Sequence, residues 1–282
     1  MPPKVSRQRP VEAPAATSSN GDAWDLIDKI QMLIYGESGT GKTTLWATFP
    51  GPIRALICSG TARPGELRSI DTPEYRQKIK PTIVTSTAAA LAVIEEVEKG
   101  GYNTVVFDHI SAFVDVILKE VLGLDSLPMQ KSWGLATQEQ WGITIAQAKE
   151  IICRLLNLSC NVVLIGQERV YNTREENISS EVIKPAVAAA ASPALIRWLN
   201  PAMDYVVQCY KRPKMVEQKV VDDKGKNTIV LMRGKGVEYV LRTQPHEVYA
   251  AKFRSATAKH KPLPEFLVDP TYDKILRLIK GQ

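Results

Sequence analysis

The chain has 282 residues, 44% of them hydrophobic, and a net charge of +6. That length suits one large domain, or one domain with an appendage, of ordinary globular composition. No apolar run reaches the roughly 18 residues of a membrane span, and the N-terminus carries no apolar stretch of a secretory signal. Four cysteines (Cys58, Cys153, Cys160, Cys209) are scattered among apolar neighbours without C-x-x-C spacing, which predicts buried reduced thiols in a cytosolic protein rather than a metal site. The positive charge is compatible with a polyanionic partner, although a phosphate ligand alone needs no such excess.

Residues 1–22 are rich in Pro, Ala and Ser and lack an apolar period, so they read as a disordered arm. Lys4, Arg7 and Arg9 make its tip basic. It is either a plain tail or an arm that touches nucleic acid or a neighbouring subunit. Residues 23–282 form the folded part, with a core over about 24–210 and a β extension with a final helix over about 211–282. In the core the pattern alternates. Strands are predicted at 30–35, 53–57, 82–85, 103–107 and 161–165. Helices are predicted at 43–49, 87–99, 111–122 and 137–157, the last opened by a capping box of Thr137 and Gln140. The runs 103–107 and 161–165 are apolar throughout, as in strands buried on both faces. Such alternation predicts an α/β fold with a mainly parallel sheet and helices on both faces. After residue 204 short strands follow one another at 205–210, 215–221, 228–232, 237–243 and 247–253, with a turn at 222–227 and a last helix at 272–279. These predict antiparallel strands added to the sheet.

The most specific motif is Gly36-Glu37-Ser38-Gly39-Thr40-Gly41-Lys42-Thr43, followed by Thr44. It fits the phosphate-binding pattern G-x-x-x-x-G-K-[ST], and it lies after a predicted strand and before a predicted helix, as that pattern requires. The glycines let backbone N–H groups turn toward phosphate. Lys42 reaches the β- and γ-phosphates, and the Thr43 hydroxyl ligates Mg²⁺. The expected ligand is therefore a nucleoside triphosphate with magnesium, foremost ATP. Asp108, at the tip of the strand Val105-Val106-Phe107, is the candidate second magnesium ligand. Gln167, after Val162–Gly166, is predicted at the same carboxyl edge of the sheet, where it can sense the γ-phosphate. Glu168 is a weaker candidate for polarising water, and His109 reads foremost as a loop histidine.

Two segments are candidates for DNA contact. Residues 168–197 are long and poorly patterned, carry Arg169, Arg174 and Lys184, and read either as a nucleotide-gated DNA loop or as a solvated loop. The loop 123–136 holds Lys131 and Trp133, which suit a phosphate contact beside base stacking or, for Trp133, partial burial. Trp141 is predicted in the core. Lys252 and Arg254 alternate onto one face of the predicted strand 247–253. They are either a phosphate clamp, extended to a neighbouring subunit, or a solvated edge.

In order and spacing these features resemble the RecA-like ATPases of phages, the RecA-type single-strand annealing or recombination proteins and the phage AAA-family ATP-binding proteins. The resemblance rests on 36–44, Phe107-Asp108, Trp141-Gly142, Gly166-Gln167-Glu168, Leu241-Arg242-Thr243, Ala251-Lys252-Phe253-Arg254 and Leu263-Pro264-Glu265-Phe266, and spans about 24–280. It implies a RecA-like core and ATP hydrolysis between subunits of a homo-oligomeric ring or filament. It also implies single-stranded DNA as partner, with the cytoplasm of a bacterial host as location. Lys252 and Arg254 would then act in trans on the neighbour's γ-phosphate. One departure stands out. The family's catalytic glutamate follows the strand after the phosphate loop, whereas here the first carboxylate is the later Glu66. Glu66 is the candidate water-activating base, or else hydrolysis is slow. The alternatives are a hexameric helicase-like motor on the same core and a nucleotide-gated assembly protein that does not bind DNA. A P-loop kinase is disfavoured because no lid-like arginine cluster stands out.

Overall fold

The computed structural model describes residues 29–58, 65–124, 136–174, 183–221, 227–255 and 262–282. The described elements are β1 (Gln31–Gly36), α1 (Lys42–Ala47), β2 (Ile53–Ile57), a 3-10 segment (Gly65–Ile70), α2 (Pro73–Lys78), β3 (Ile79–Ile83), α3 (Thr87–Glu98), β4 (Thr104–Asp108), α4 (Ile110–Val121), α5 (Gln138–Leu156), β5 (Asn161–Arg174), β6 (Ile183–Ala189), α6 (Pro193–Ala202), β7 (Tyr205–Val221), β8 (Asn227–Arg242), β9 (Phe266–Val268) and α7 (Tyr272–Lys280). Along the sheet the strands run β3-β2-β4-β5-β1-β7-β8-β9, with β6 paired to β5. Pairs among β1 to β5, and β1 with β7, are parallel; β5–β6, β7–β8 and β8–β9 are antiparallel. This is the expected α/β architecture with antiparallel strands added at its C-terminal side.

The central strands are apolar on both faces because both are covered. Leu33, Tyr35, Leu56, Phe107 and Leu164 face a layer built from α3, α4, α5 and α6. Met32, Ile34, Ile57, Val106, Val163 and Ile165 face α1, Phe49 and Ile275 of α7. Helix starts follow side-chain chemistry. Ser86 caps α3, and Thr137 and Gln140 form the predicted capping box of α5. Trp141 is half-buried and packs against the core.

Several boundaries differ from the sequence expectation. Within 168–197 the described residues are not irregular: β5 continues to Arg174 and pairs antiparallel with β6. Small residues allow this, since a Cβ on Gly166 would lie 2.6 Å from the Ala189 methyl. Tyr171 ties the two strands together: its hydroxyl, a single donor, lies 2.8 Å from the Ala189 carbonyl and 2.7 Å from the Ala191 carbonyl, and it accepts from the Ala191 N–H at 3.0 Å. The four short strands expected over 205–243 merge into two long ones, β7 and β8, with a register shift between Pro213 and Met215. The strand expected at 247–253 does not form. Its backbone divides its hydrogen bonds, pairing Tyr249 with Val187 of β6 and Lys252 with Val206 of β7, so no continuous ladder develops. The 3-10 segment and β9 have no clear sequence signal, whereas α2 has one that the sequence expectation leaves unused: Thr72 caps it, with Pro73 at its first position and Glu74 in its first turn. The expected arm at 1–22, all of the expected turn at 222–227 except Asn227, which opens β8, and the residues Lys131 and Trp133 lie outside the described residues.

Candidate nucleotide site

The parallel register levels the carboxyl ends of the strands. Asp108 lies opposite Ile165 and Ile57, and Gly36 lies opposite Gln167. The loop 36–43 therefore leaves β1 beside the ends of β4 and the middle of β5. Gly36 is needed for close approach, because a Cβ there would meet the Cys209 carbonyl oxygen at 2.1 Å. Gly41 caps α1 with φ 86°, a left-handed conformation that disfavours side chains. Lys42 folds back under the loop and donates to the carbonyls of Gly36 (2.8 Å) and Glu37 (2.7 Å). Burial lowers its pKa, while the nearby Cys209 and Asp108 act in the opposite sense. Thr40 ties the loop to itself through a 2.8 Å bond to the Glu37 carbonyl.

Beside this loop is a cavity of about 600 Å³. Its wall includes Lys42, Thr43, Thr44, Glu66, Asp108 and Gln167, together with Thr48, Tyr239 and Asp269–Thr271. Asp108 is 4% exposed and accepts a 3.1 Å hydrogen bond from the Trp46 indole nitrogen. Burial raises its pKa to about 6, with Glu66 adding to the rise and the Trp46 bond and Lys42 opposing it. One Glu66 carboxylate oxygen is buried with no hydrogen-bond partner among the described residues. A buried orphan acceptor of this kind is costly unless a proton, water or cation meets it. So a buried ionisable carboxylate, an unsatisfied carboxylate, a threonine hydroxyl and a lysine surround one cavity. This donor set fits a magnesium-bound triphosphate.

Other predicted residues are placed differently. Gln167 lines the cavity, but from within β5 and not from a strand end. Glu168 accepts a 2.8 Å bond from Gln208, which in turn accepts from Arg242 at 3.2 Å. It is thereby committed to a network joining β5, β7 and β8. His109 is the cap of α4: its Nδ1 accepts from the Ala112 N–H at 3.1 Å, and burial lowers its pKa. Arg169 lies against the Tyr171 ring, while the side chains of Arg174 and Lys184 lie outside the described residues.

Lys252 and Arg254 are not in this chain's cavity. Lys252 caps α6, donating to the carbonyls of Pro201 (3.0 Å) and Met203 (2.6 Å), and Arg254 pairs with Asp204. Both stand at the start of β7, upstream of the stretch that meets the phosphate loop. The four cysteines are free. Burial pushes Cys58 and Cys209 up to about 12 and Cys160 to about 11. No cluster of three or more metal-ligating side chains occurs among the described residues. Nor is any described helix long and apolar enough to cross a membrane.

Residues 28–255 match the family described as AAA domain. The chain belongs to the AAA-domain family. That match spans the phosphate loop, Asp108 and both long strands β7 and β8, and with the topology above it gives a RecA-like P-loop ATPase core. No curated protein sequence matches the chain. Among solved structures it is similar to a KaiC-like protein from the hyperthermophilic archaeon Pyrococcus horikoshii. The identity is 14%, with 74% of this chain and 83% of that chain covered and a TM-score of 0.37.

Sequence reasoning misses three parts of this AAA-domain site. The sequence marks Trp46 only as part of a short helix, yet it holds Asp108. Tyr239 lies over the loop, with its ring 3.1 Å from where a Gly41 Cβ would be. Asp269–Thr271 closes the cavity through Tyr272, whose N–H donates to the Thr48 hydroxyl at 2.8 Å. The last two come from far along the chain, and no local pattern marks them.

Proposed function

We propose that this AAA-domain protein is an ATP-dependent single-stranded-DNA-binding protein of RecA type that acts in DNA recombination, annealing or replication. It assembles with ATP at subunit interfaces. The observation that carries the nucleotide half is the meeting of Lys42, Thr43, Asp108, Glu66 and Gln167 around one cavity. Magnesium supplies charge neutralisation on the phosphates, and Thr43 and Asp108 are the residues that would hold it. Lys42 leaves its loop carbonyls for the β- and γ-phosphates. Glu66 accepts the proton of the attacking water at its unsatisfied carboxylate, and Gln167 senses the γ-phosphate. The base lies against Tyr239, Thr48 and Asp269–Thr271, the rest of the cavity's lining. Lys252 and Arg254 are offered to a neighbouring subunit's nucleotide; Arg254, 60% exposed, is the freer of the two.

Phosphate release from magnesium-ATP, with and without single-stranded oligonucleotide, tests this in wild type and Lys42→Ala. Wild type should turn over and be stimulated by the oligonucleotide, and the variant should be silent, with turnover down at least about 10²-fold. A rate indifferent to oligonucleotide, together with no retention of it at moderate salt, would sink the DNA half.

A further inference from the structure

Beyond Gln208, β7 has no parallel partner; from Lys211 onward it pairs with β8 alone. Residues 211–221 and 227–239 thus leave the sheet as a two-stranded ribbon. Such a ribbon is marginal without something packed against it. This one exposes Met215, Val216, Met232, Val237 and Tyr239, the last two at 58% and 43%. It also exposes Lys211, Lys214, Arg233 and Lys235. None of these four is ion-paired with a described residue, whereas Arg212 is held by Glu238 at 3.0 Å. Residues 211–242 contain nine Lys or Arg against four Asp or Glu, an excess of five in a chain whose net charge is +6.

The register sorts these side chains. Lys211 pairs with Tyr239, Pro213 with Val237 and Met215 with Arg233. Strand alternation puts the first two pairs on one face; past the register shift between Pro213 and Met215, the Met215–Arg233 pair carries on a strip that mixes cations with apolar and aromatic groups. The strip starts at the phosphate loop: Lys211 Nζ is 3.8 Å from where a Gly39 Cβ would stand, and Tyr239 covers Gly41. A second copy of a chain with this net charge brings no complementary excess of acid. Duplex DNA offers phosphates but keeps its bases stacked, leaving the apolar groups uncovered. A single strand offers both phosphates and free base faces.

We propose that the β7–β8 ribbon is a single-stranded nucleic-acid-binding arm whose root touches the phosphate loop, so that nucleotide and strand affect each other's binding reciprocally. This rests on the DNA-binding reading above and names its surface. The test uses the full chain and a fluorescent oligothymidylate, followed by anisotropy over a salt series. In the triple variant Lys214→Gln/Arg233→Gln/Lys235→Gln, the slope of log affinity against log salt should shrink by about 2, at roughly 0.7 for each phosphate no longer neutralised. Affinity near physiological salt should fall at least about tenfold, while oligonucleotide-free ATP turnover stays at the wild-type rate. If the triple variant melts early, Lys235→Gln alone should shrink the slope by about 0.7. Wild type that binds, with a variant of unchanged slope and affinity, overturns the arm and leaves the DNA-binding reading standing. Wild type that does not bind overturns that reading first. A variant that loses ATP-dependent self-assembly but keeps the oligonucleotide shows a subunit interface instead, and the arm is refuted.

Discussion

The parallel strands β1, β4 and β5 and the ribbon of β7 and β8 are built on opposite principles. Val106, Val163 and Ile34 are wholly buried between helices, and the phosphate loop and Asp108 sit at the ends of strands that cannot move without disturbing the core. In the ribbon, Val237 and Met215 stand in the open and only a single antiparallel ladder holds the strands. Phosphate chemistry needs groups fixed to within fractions of an ångström, and the buried strands supply that. Contact with a long flexible partner needs reach and adaptable charge, which the ribbon supplies. The two meet where Lys211 and Tyr239 lie on the glycines of the phosphate loop.

The sharpest way to break this contrast is at Glu66, the site residue held by a short 3-10 segment instead of a buried strand. If it is the base, Glu66→Gln should cut turnover by about 10²- to 10⁴-fold. Nucleotide affinity should hold, because the glutamine keeps the shape and loses only proton acceptance. Phosphate release and a nucleotide-binding titration on the same preparation separate the two. Normal turnover would show that the cavity draws its base from elsewhere.

Asp108 tests the rigid half. Its pKa of about 6 lies above the ordinary value near 3.8, chiefly because it is buried. An unfolded chain ionises this carboxyl near pH 4, while the folded one keeps its proton to about pH 6. The folded state therefore holds more protons in that window and loses stability as pH rises through it. Above pH 6 the accumulated cost is on the order of 3 kcal/mol, taking about 1.4 kcal/mol per pKa unit. Asp108→Asn should accordingly raise the melting temperature of the nucleotide-free protein at pH 7.5, by roughly 5–10 °C, and change it little at pH 4. The same variant should lose most magnesium dependence of nucleotide binding. In wild type, that dependence should fade as pH drops below 6, because a protonated carboxyl is a poor ligand. A variant no more stable at pH 7.5 would mean that the buried charge is already compensated.

The contrast also separates what is legible in the sequence from what is not. The phosphate loop, the apolar strands around it and the Thr137–Gln140 capping box are local patterns, and each lies where its spacing puts it. Asp108 is legible for the same reason, as a carboxylate closing an apolar run. The end of β5 is not, because Gly166 and Ala189 decide the pairing with β6 by touching across it, and a run of alanines has no period to read. The merging of short strands into β7 and β8 is hidden by residues 211–216 and 232–239, where exposed cations and apolar groups break the alternation of a half-buried strand. Lys252 looks in the sequence like one rung of an edge strand. Its backbone pairs with Val206 while its ammonium group closes α6, and that depends on where α6 ends.

Tyr239 belongs to both regions, so the smallest effect is the most discriminating. Its carbonyl accepts from the Asp269 N–H at 2.8 Å, a backbone bond that survives Tyr239→Ala. The substitution thus removes the ring and spares the wall built from Asp269–Thr271. Removing one stacked aromatic ring costs about 1 kcal/mol, or roughly a fivefold loss of ATP affinity. If the ring bears on the base, inhibition by inorganic tripolyphosphate should be unchanged in the variant, since that ligand fills only the phosphate end. If the ring instead steadies the glycine loop at Gly41, ATP and tripolyphosphate should weaken together. Equal weakening would move Tyr239 from the base pocket to the phosphate loop, and would make the root of the ribbon part of the rigid machinery.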